Sequence, residues 1–353
     1  MEIVGALDVH RRQITYATLD RETGELRHGR IVPATRAEVR AWLERFSGRE
    51  AEFALEGTTG WRFVVEEIER AGQRARLADP AETAARRGRK RRAKTDRADC
   101  DLMLKLLLAA ELPESWIPPA HILELRTRVR TRKTLVDQRT AWQQRLQAQL
   151  FHQGAPAGLK LRTRAGRAAL AKVELSPAGR DQVALALRMI DLIDSELAPL
   201  DRSLCSVARH QPGCRALTER LYGVGPVTAT VILAELGDCR RFSRSNDAVR
   251  HTGLDVTVYQ SDSKRSPGHL SHQGPDVLRW ALFEAAQQAS RRTSPDHAYY
   301  QQVAQRIDHN RACLSVARKL CRRAHHILRE LGDDALAPFE PDAQHEEATA
   351  AAA

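Results

Sequence analysis

Glu2-Ile3-Val4-Gly5-Ala6-Leu7-Asp8-Val9 is an apolar run that ends in a carboxylate, and the segments after it repeat its length and character. Residues 14–20 (ITYATLD), 29–34 (GRIVPA), 51–57 (AEFALEG) and 75–80 (ARLADP) read as further strands. Residues 37–46 (AEVRAWLERF) and 61–72 (WRFVVEEIERAG) carry helical spacing between them. The order strand, strand, strand, helix, strand, helix, strand predicts an α/β domain with a mixed sheet. A strongly apolar helix from about Asp96 to Ala110 follows, and Pro113, Pro118 and Pro119 close the domain, which is drawn at 1–112.

Beyond it, residues 113–212 read as a helical linker. A long polar helix over His121–Leu150 lines up Leu125, Val129, Val136, Trp142, Leu146 and Leu150, like half of a coiled coil or helical hairpin. Helix resumes over Asp181–Arg209, and the Gly/Ala/Arg-rich stretch between is left unassigned. A mainly α region spans 213–334. Its last helix puts Cys313, Ala317, Leu320, Cys321, Ala324, Ile327 and Leu328 on one face. The Pro/Glu/Ala-rich tail, 335–353, reads as disordered.

Lys and Arg total 56 against 45 Asp and Glu, a net charge of +11 and a pI near 9.7, which favours a polyanionic partner such as nucleic acid. No run of 18 apolar residues occurs and the N-terminus lacks the layout of a signal peptide, so a cytoplasmic protein without a membrane partner is expected. The six cysteines form no CxxC pair and read as small buried hydrophobes.

Four acids carry the chemistry. Asp8 and Glu56 each end an apolar strand, after Ile3–Leu7 and Phe53–Leu55. Asp96 and Asp99, three apart at a helix start, share a face near its positive end. Singly they have plainer readings: a strand-end turn residue, a solvated acid, a helix N-cap and a first-turn acid. Jointly they suggest a cation, because clustered carboxylates repel and hard oxygen donors suit Mg2+ or Mn2+. Two such ions about 4 Å apart stabilise the attacking and leaving oxygens of a phosphoryl displacement.

Acids from the first strand, a later strand and a final helix resemble the RNase H-like superfamily, and more closely its RuvC-type domain. Lys94-Thr95-Asp96-Arg97-Ala98-Asp99 looks like the K-T-D-x-x-D signature of the IS110 family, the DEDD-type, Piv-like insertion-sequence transposases. A second block agrees with that family in order: Glu235-Leu236-Gly237-Asp238, Arg241-Phe242, Gly253-Leu254, Gln260-Ser261, Gly268, Gly274 and Leu278-Arg279. Ahead of it, Leu221 to Ala229 is a Gly-x-Gly turn entering an apolar helix. It reads as a helix-hairpin-helix in which Gly223 and Gly225 let backbone N–H groups approach a phosphate, or more plainly as a tight turn between packed helices.

The resemblance implies a transposase or site-specific recombinase that cuts and rejoins DNA, with Asp8, Glu56, Asp96 and Asp99 holding Mg2+ or Mn2+ and Ser261 forming a covalent phosphoserine link. It further implies donor and target DNA, a structured noncoding bridge RNA as guide, and a homo-oligomer, dimer or tetramer. The chain departs from the family pattern at Asp262, where glycine is usual, and at His272, where lysine is common. Ser263, Ser266 and Ser271 are rival hydroxyls, and His269 and His272 could shuttle protons or contact phosphate. The run Arg86, Arg87, Arg89, Lys90, Arg91, Arg92 and Lys94 reads as a solvated face, a localisation signal or a nucleic-acid clamp, the last favoured by its nearness to Asp96. Two other classes fit the same residues: a metal-dependent junction resolvase or nuclease without a covalent step, and an inactive DNA-binding relative.

Overall fold

Side chains of the first strand, β1 (Ile3–Val9), point alternately to the two faces of the sheet, Ile3, Leu7 and Val9 to one and Val4 and Ala6 to the other, and each face takes its own helices. In this computed structural model, residues 1–86, 95–161, 163–257, 259–261, 264–266 and 268–338 are described, with 259–261 and 264–266 as backbone alone. The chain divides into two units, 1–117 and 118–353.

The first unit continues with β2 (Ile14–Asp20), β3 (Leu26–Ile31), α1 (Arg36–Leu43), β4 (Ala51–Glu56), α2 (Trp61–Arg70), β5 (Arg74–Ala78), α3 (Pro80–Ala85), α4 (Asp96–Leu108) and β6 (Glu114–Ser115). Strand order is β3-β2-β1-β4-β5-β6, with β1, β4 and β5 parallel and β2, β3 and β6 antiparallel to their inner neighbours. The mixed sheet and its helices follow the order read from the sequence; the short α3 and β6 were not foreseen.

On one face Ile3, Leu7, Val9, Phe53 and Leu55 pack against Val39, Trp42 and Leu43 of α1 and Val64, Val65 and Ile68 of α2. On the other, Val4, Ala6, Ala17, Ala54 and Ala78 meet Cys100, Met103, Leu104 and Leu106 of α4. Four alanines on that face leave room for the helix to lie close to the sheet, and the Cys100 thiol donates to Thr15 O at 3.2 Å. Close packing of this kind fixes the start of α4 relative to the strand ends.

The second unit opens with α5 (Ala120–His152), α6 (Arg164–Leu170) and α7 (Pro177–His210). Arg128 reaches Ser203, Arg132 reaches Asp201 and Arg139 reaches Asp194, so α5 and α7 run antiparallel as a hairpin. At its far end Leu170 of α6 and Leu161 ahead of it pack with Leu146, Leu150, Val183 and Ile190. The unit continues with α8 (Pro212–Arg220), α9 (Pro226–Leu236), α10 (Ser245–Thr252), the strands β7 (Tyr259–Ser261) and β8 (Lys264–Ser266), α11 (Asp276–Gln287), α12 (His297–Ala304) and α13 (His309–Leu331). Every residue of α9 from Ala229 to Leu236 is buried, including Glu235, whose carboxylate accepts from Arg130 Nε at 2.7 Å.

The regions drawn separately at 113–212 and 213–334 share a core here. Leu125, Val129, Leu204 and Ala208 of the hairpin pack in one cluster with Leu217, Ile232, Leu278 and Leu320. The tail drawn as disordered from residue 335 needs correcting at its start. A 3-10 turn spans Gly332–Leu336, Ala335 is buried, and its carbonyl accepts from Gln211 Nε2 at 2.6 Å. Composition hid this because the packing depends on Gly213, where a Cβ would stand 2.4 Å from Ala335 O. Residues 339–353 lie outside the described residues.

Candidate metal centre

Leu7 and Leu55 are the last paired positions of β1 and β4, so Asp8 and Glu56, one residue on, end adjacent parallel strands. By the alternation of each strand both carboxylates belong to the alanine face, which α4 covers. Neighbouring strands lie about 4.8 Å apart, within reach of a shared ion. The first turn of α4 supplies Asp96 and Asp99. Its N-cap is Thr95, not Asp96: Thr95 Oγ1 accepts from Ala98 N at 3.2 Å, which leaves the Asp96 carboxylate available to other partners.

A histidine that sequence reasoning missed joins them. The chain turns tightly after β1, with His10 N donating to Gln13 O at 3.0 Å. His10 Nε2 then lies 3.1 Å from Asp8 Oδ2 and 3.6 Å from Asp96 Oδ1. Gln13 Nε2 donates to Asp96 Oδ2 at 3.3 Å. One ligand atom from each of Asp8, His10 and Asp96 falls within 4.8 Å of the others. The signal was the Asp8-x-His10 spacing, which sends two side chains the same way from a strand end. Asp101, which the helical spacing sets on a different face from Asp96 and Asp99, pairs with His28 Nε2 at 2.6 Å and ties α4 to β3.

Burial pushes the Asp8 carboxyl above the usual aspartate range; His10 beside it pulls the other way, while the charges of Asp96 and Asp99 add to the rise. Gathered acids that hold one another's protons are poised for a cation. The donor set fits a divalent ion, the carboxylates being hard oxygen ligands. Thr15, paired directly with Asp8 across β1 and β2, supports the fit: it is only 6% exposed and its hydroxyl has no hydrogen-bond partner among the described residues. A cation's bound water would satisfy such a group.

In the second unit, Gly223 takes φ +85° between α8 and α9, and a Cβ there would stand 2.6 Å from Ala285 O, so only glycine fits. Gly225 caps α9, with Pro226 in the first turn. Nothing crowds Gly225, and a cavity of about 650 Å³ lies before the helix, lined among others by Arg220, Tyr222, Gly223, Gly225 and Gln288. Ser261 ends β7 and pairs with Lys264 of β8. Backbone pairing of Thr257 with His269 and Ser271 with Asp255 extends that hairpin. The side chain of Ser261 lies outside what is described. His269 and His272 are exposed, and the Ser271 hydroxyl is engaged by Asp255. Arg86 is exposed at the end of α3, whereas Arg87, Arg89, Lys90, Arg91, Arg92 and Lys94 fall outside the described residues.

Fold and site together define a class: an α/β unit with a carboxylate centre for divalent metal, followed by a helical unit. Residues 5–152 match a transposase profile of the DEDD IS110 type, and residues 215–301 match the profile described as "Transposase IS116/IS110/IS902 family"; together they cover about two thirds of the chain. The chain belongs to the IS110/IS116/IS902 family of transposases. It is 28% identical over 242 residues to the putative transposase y4rJ of Sinorhizobium fredii, an alignment covering 62% of this chain and 60% of the relative. It is 27% identical over 130 residues to the transposase for insertion sequence element IS1111A of Coxiella burnetii, covering 36% of this chain and 35% of that one. Similarity to an uncharacterized 44.8 kDa protein of insertion element IS116 from Streptomyces clavuligerus reaches 25% over 139 residues, 39% of this chain and 35% of the relative. The matches thus span three fifths or less of these curated relatives. Among the described residues, no helix is long and apolar enough to cross a membrane.

Proposed function

We propose that this chain is an insertion-sequence transposase and recombinase that cuts and rejoins DNA through a covalent link to Ser261. The observation that carries the reading is that Asp8 and Glu56 end adjacent parallel strands while Asp96 and Asp99 open α4, with Asp8 and Asp96 near enough to share an ion, in a chain whose two halves both match transposase profiles. The acids come from the first strand, a later parallel strand and a helix after the last parallel strand, which supports a RuvC-like (RNase H-like) domain.

Mg2+ or Mn2+ held by these four acids would polarise the phosphate and offset charge on the oxygens around phosphorus. The division of labour is then simple. Ser261 Oγ bonds to phosphorus as one bridging P–O bond to deoxyribose breaks, and the phosphoserine conserves the bond energy for rejoining. A freed sugar hydroxyl of the new strand reverses the step. Gly223 and Gly225 form a helix-hairpin-helix that takes the DNA backbone without reading sequence, and the basic run before Asp96 clamps nucleic acid. Donor and target DNA, a structured bridge RNA and a dimer or tetramer complete the reading; the surplus of 56 basic over 45 acidic residues favours such polyanions.

Ser261→Ala tests it. The parent protein, with Mg2+, donor DNA and the RNA that co-purifies with it, should leave a protein–DNA adduct on a denaturing gel, and the variant should leave none and lose cleavage. Undiminished cleavage by Ser261→Ala, with no adduct in the parent, would make the chain a metal-dependent resolvase or nuclease. Unchanged behaviour of Asp8→Asn, with DNA binding retained, would make it a non-catalytic binding protein.

A further inference from the structure

The β1–β2 turn places an imidazole between two of the acids, and nothing in the reading above uses it. We infer that His10 is itself a ligand of the divalent cation, so that the centre is a mixed nitrogen and oxygen site with a raised preference for Mn2+ over Mg2+. The inference rests on the metal reading and adds a ligand to it.

The distances carry the argument. Around an octahedral ion with ligands at about 2.1 Å, adjacent donors are about 3 Å apart and opposite ones about 4.2 Å. His10 Nε2 stands 3.1 Å from Asp8 Oδ2 and 3.6 Å from Asp96 Oδ1, so one nitrogen approaches both acids at donor-to-donor spacing. The buried hydroxyl of Thr15, opposite Asp8 and without a hydrogen-bond partner among the described residues, is a second and independent observation on this face. Gln13, from the same turn as His10, holds the far oxygen of Asp96. The His10 side chain is 53% exposed and that of Asp96 42%, against 14% for Asp8, which leaves the nitrogen side open to an ion and its waters.

Chemistry selects the metal. Carboxylates and water suit Mg2+ and Mn2+ alike, whereas Mg2+ rarely exchanges its oxygen shell for imidazole and transition ions do so readily. A neutral ligand also completes the shell without adding a fifth negative charge to a crowded group of acids.

Full-length protein stripped of metal is titrated with MnCl2 and followed by the electron spin resonance of free Mn2+, with Mg2+ affinity taken from competition. Pulsed spectra then report nitrogen bound to the ion. The parent should show 14N modulation that vanishes in His10→Ala. That variant should lose about tenfold in Mn2+ affinity and clearly less in Mg2+ affinity. Mn2+ bound in the parent and lost in Asp8→Asn, but with no nitrogen modulation, with modulation that persists in His10→Ala, or with an unchanged ratio of the two affinities, overturns the role of His10 and leaves the metal reading standing. No Mn2+ bound by the parent at millimolar concentration overturns both. His10 lies in an exposed turn, so its removal should leave the fold intact.

Discussion

Asp8 and Glu67 are both carboxylates of the α/β unit held mostly out of water, and their surroundings are opposite in sign. The Glu67 side chain is fully buried in α2, yet Arg36 Nη1 approaches at 3.0 Å, Arg40 Nε at 3.2 Å, and Arg70 completes the set. Burial pushes its carboxyl up, but hydrogen bonds from Arg70, Arg36 and Arg40 outweigh that and hold it at about 2. Asp8, its side chain 14% exposed, is also pushed up by burial, with one histidine to oppose it and two further acids to reinforce it, and its carboxyl is raised. A buried acid compensated by guanidinium groups belongs to the scaffold. One left among other acids marks a candidate cation site, and the cost of keeping it there points to function.

The comparison is strained most by Glu67→Gln, which keeps the volume and removes the charge. Breaking a buried pair costs about 3–5 kcal/mol when the orphaned charge stays buried. Here the arginines are 47%, 56% and 55% exposed and can rehydrate, so a loss of about 2–3 kcal/mol is expected in urea unfolding. The sign with pH follows from the depressed carboxyl. Its contribution is complete above the unfolded value of about 4.3 and is lost as pH falls through the folded one, so parent and variant should converge between about pH 5 and 2. A gap as wide at pH 3 as at pH 6 would mean that packing, not charge, keeps Glu67 in place.

Thr95→Ala is the next largest. Removing the hydroxyl that caps α4 should cost about 1 kcal/mol. Because the same turn carries Asp96 and Asp99, Mn2+ affinity should fall several-fold as well, and Thr95→Ser should restore both. Stability lost without any change in metal affinity would show that the cap holds the helix but not the centre.

How far the sequence went depended on which interactions were local. The runs ending in Asp8 and Glu56 and the pair Asp96 and Asp99 were legible because strand length, alternation and helical spacing are properties of a few adjacent residues. His10 was not, since its meaning comes from Asp96, 86 positions away, reached through a turn. The hairpin that carries Ser261 was not legible, because two three-residue strands carry almost no periodicity, and their pairing is made by the backbone. The cap of α4 was assigned one residue late among the plainer readings of Asp96, as Thr and Asp are both good caps and only the Thr95 to Ala98 hydrogen bond separates them. The long hairpin was readable in its two helices but not in its attachment, because Leu125 and Val129 continue a stripe that changes partners along its length.

Asp8→Asn gives the smallest change in stability and the one with the opposite sign. A carboxyl whose folded value is raised binds its proton more tightly in the native state than in the unfolded chain. Its effect on stability therefore declines as pH rises from the unfolded value, about 3.9, through the folded one, and at neutral pH the ionised group is a net cost. Replacing it with asparagine should stabilise the metal-free protein at pH 7 by roughly 0.5–1 kcal/mol, seen as a small rise in Tm. Mn2+ then reverses the ranking. The parent should gain about 2.7 kcal/mol at a hundredfold excess over its dissociation constant, and the variant almost nothing. If Asp8→Asn instead lowers the Tm of the metal-free protein, Asp8 is a structural acid like Glu67, and the contrast between the two carboxylates disappears.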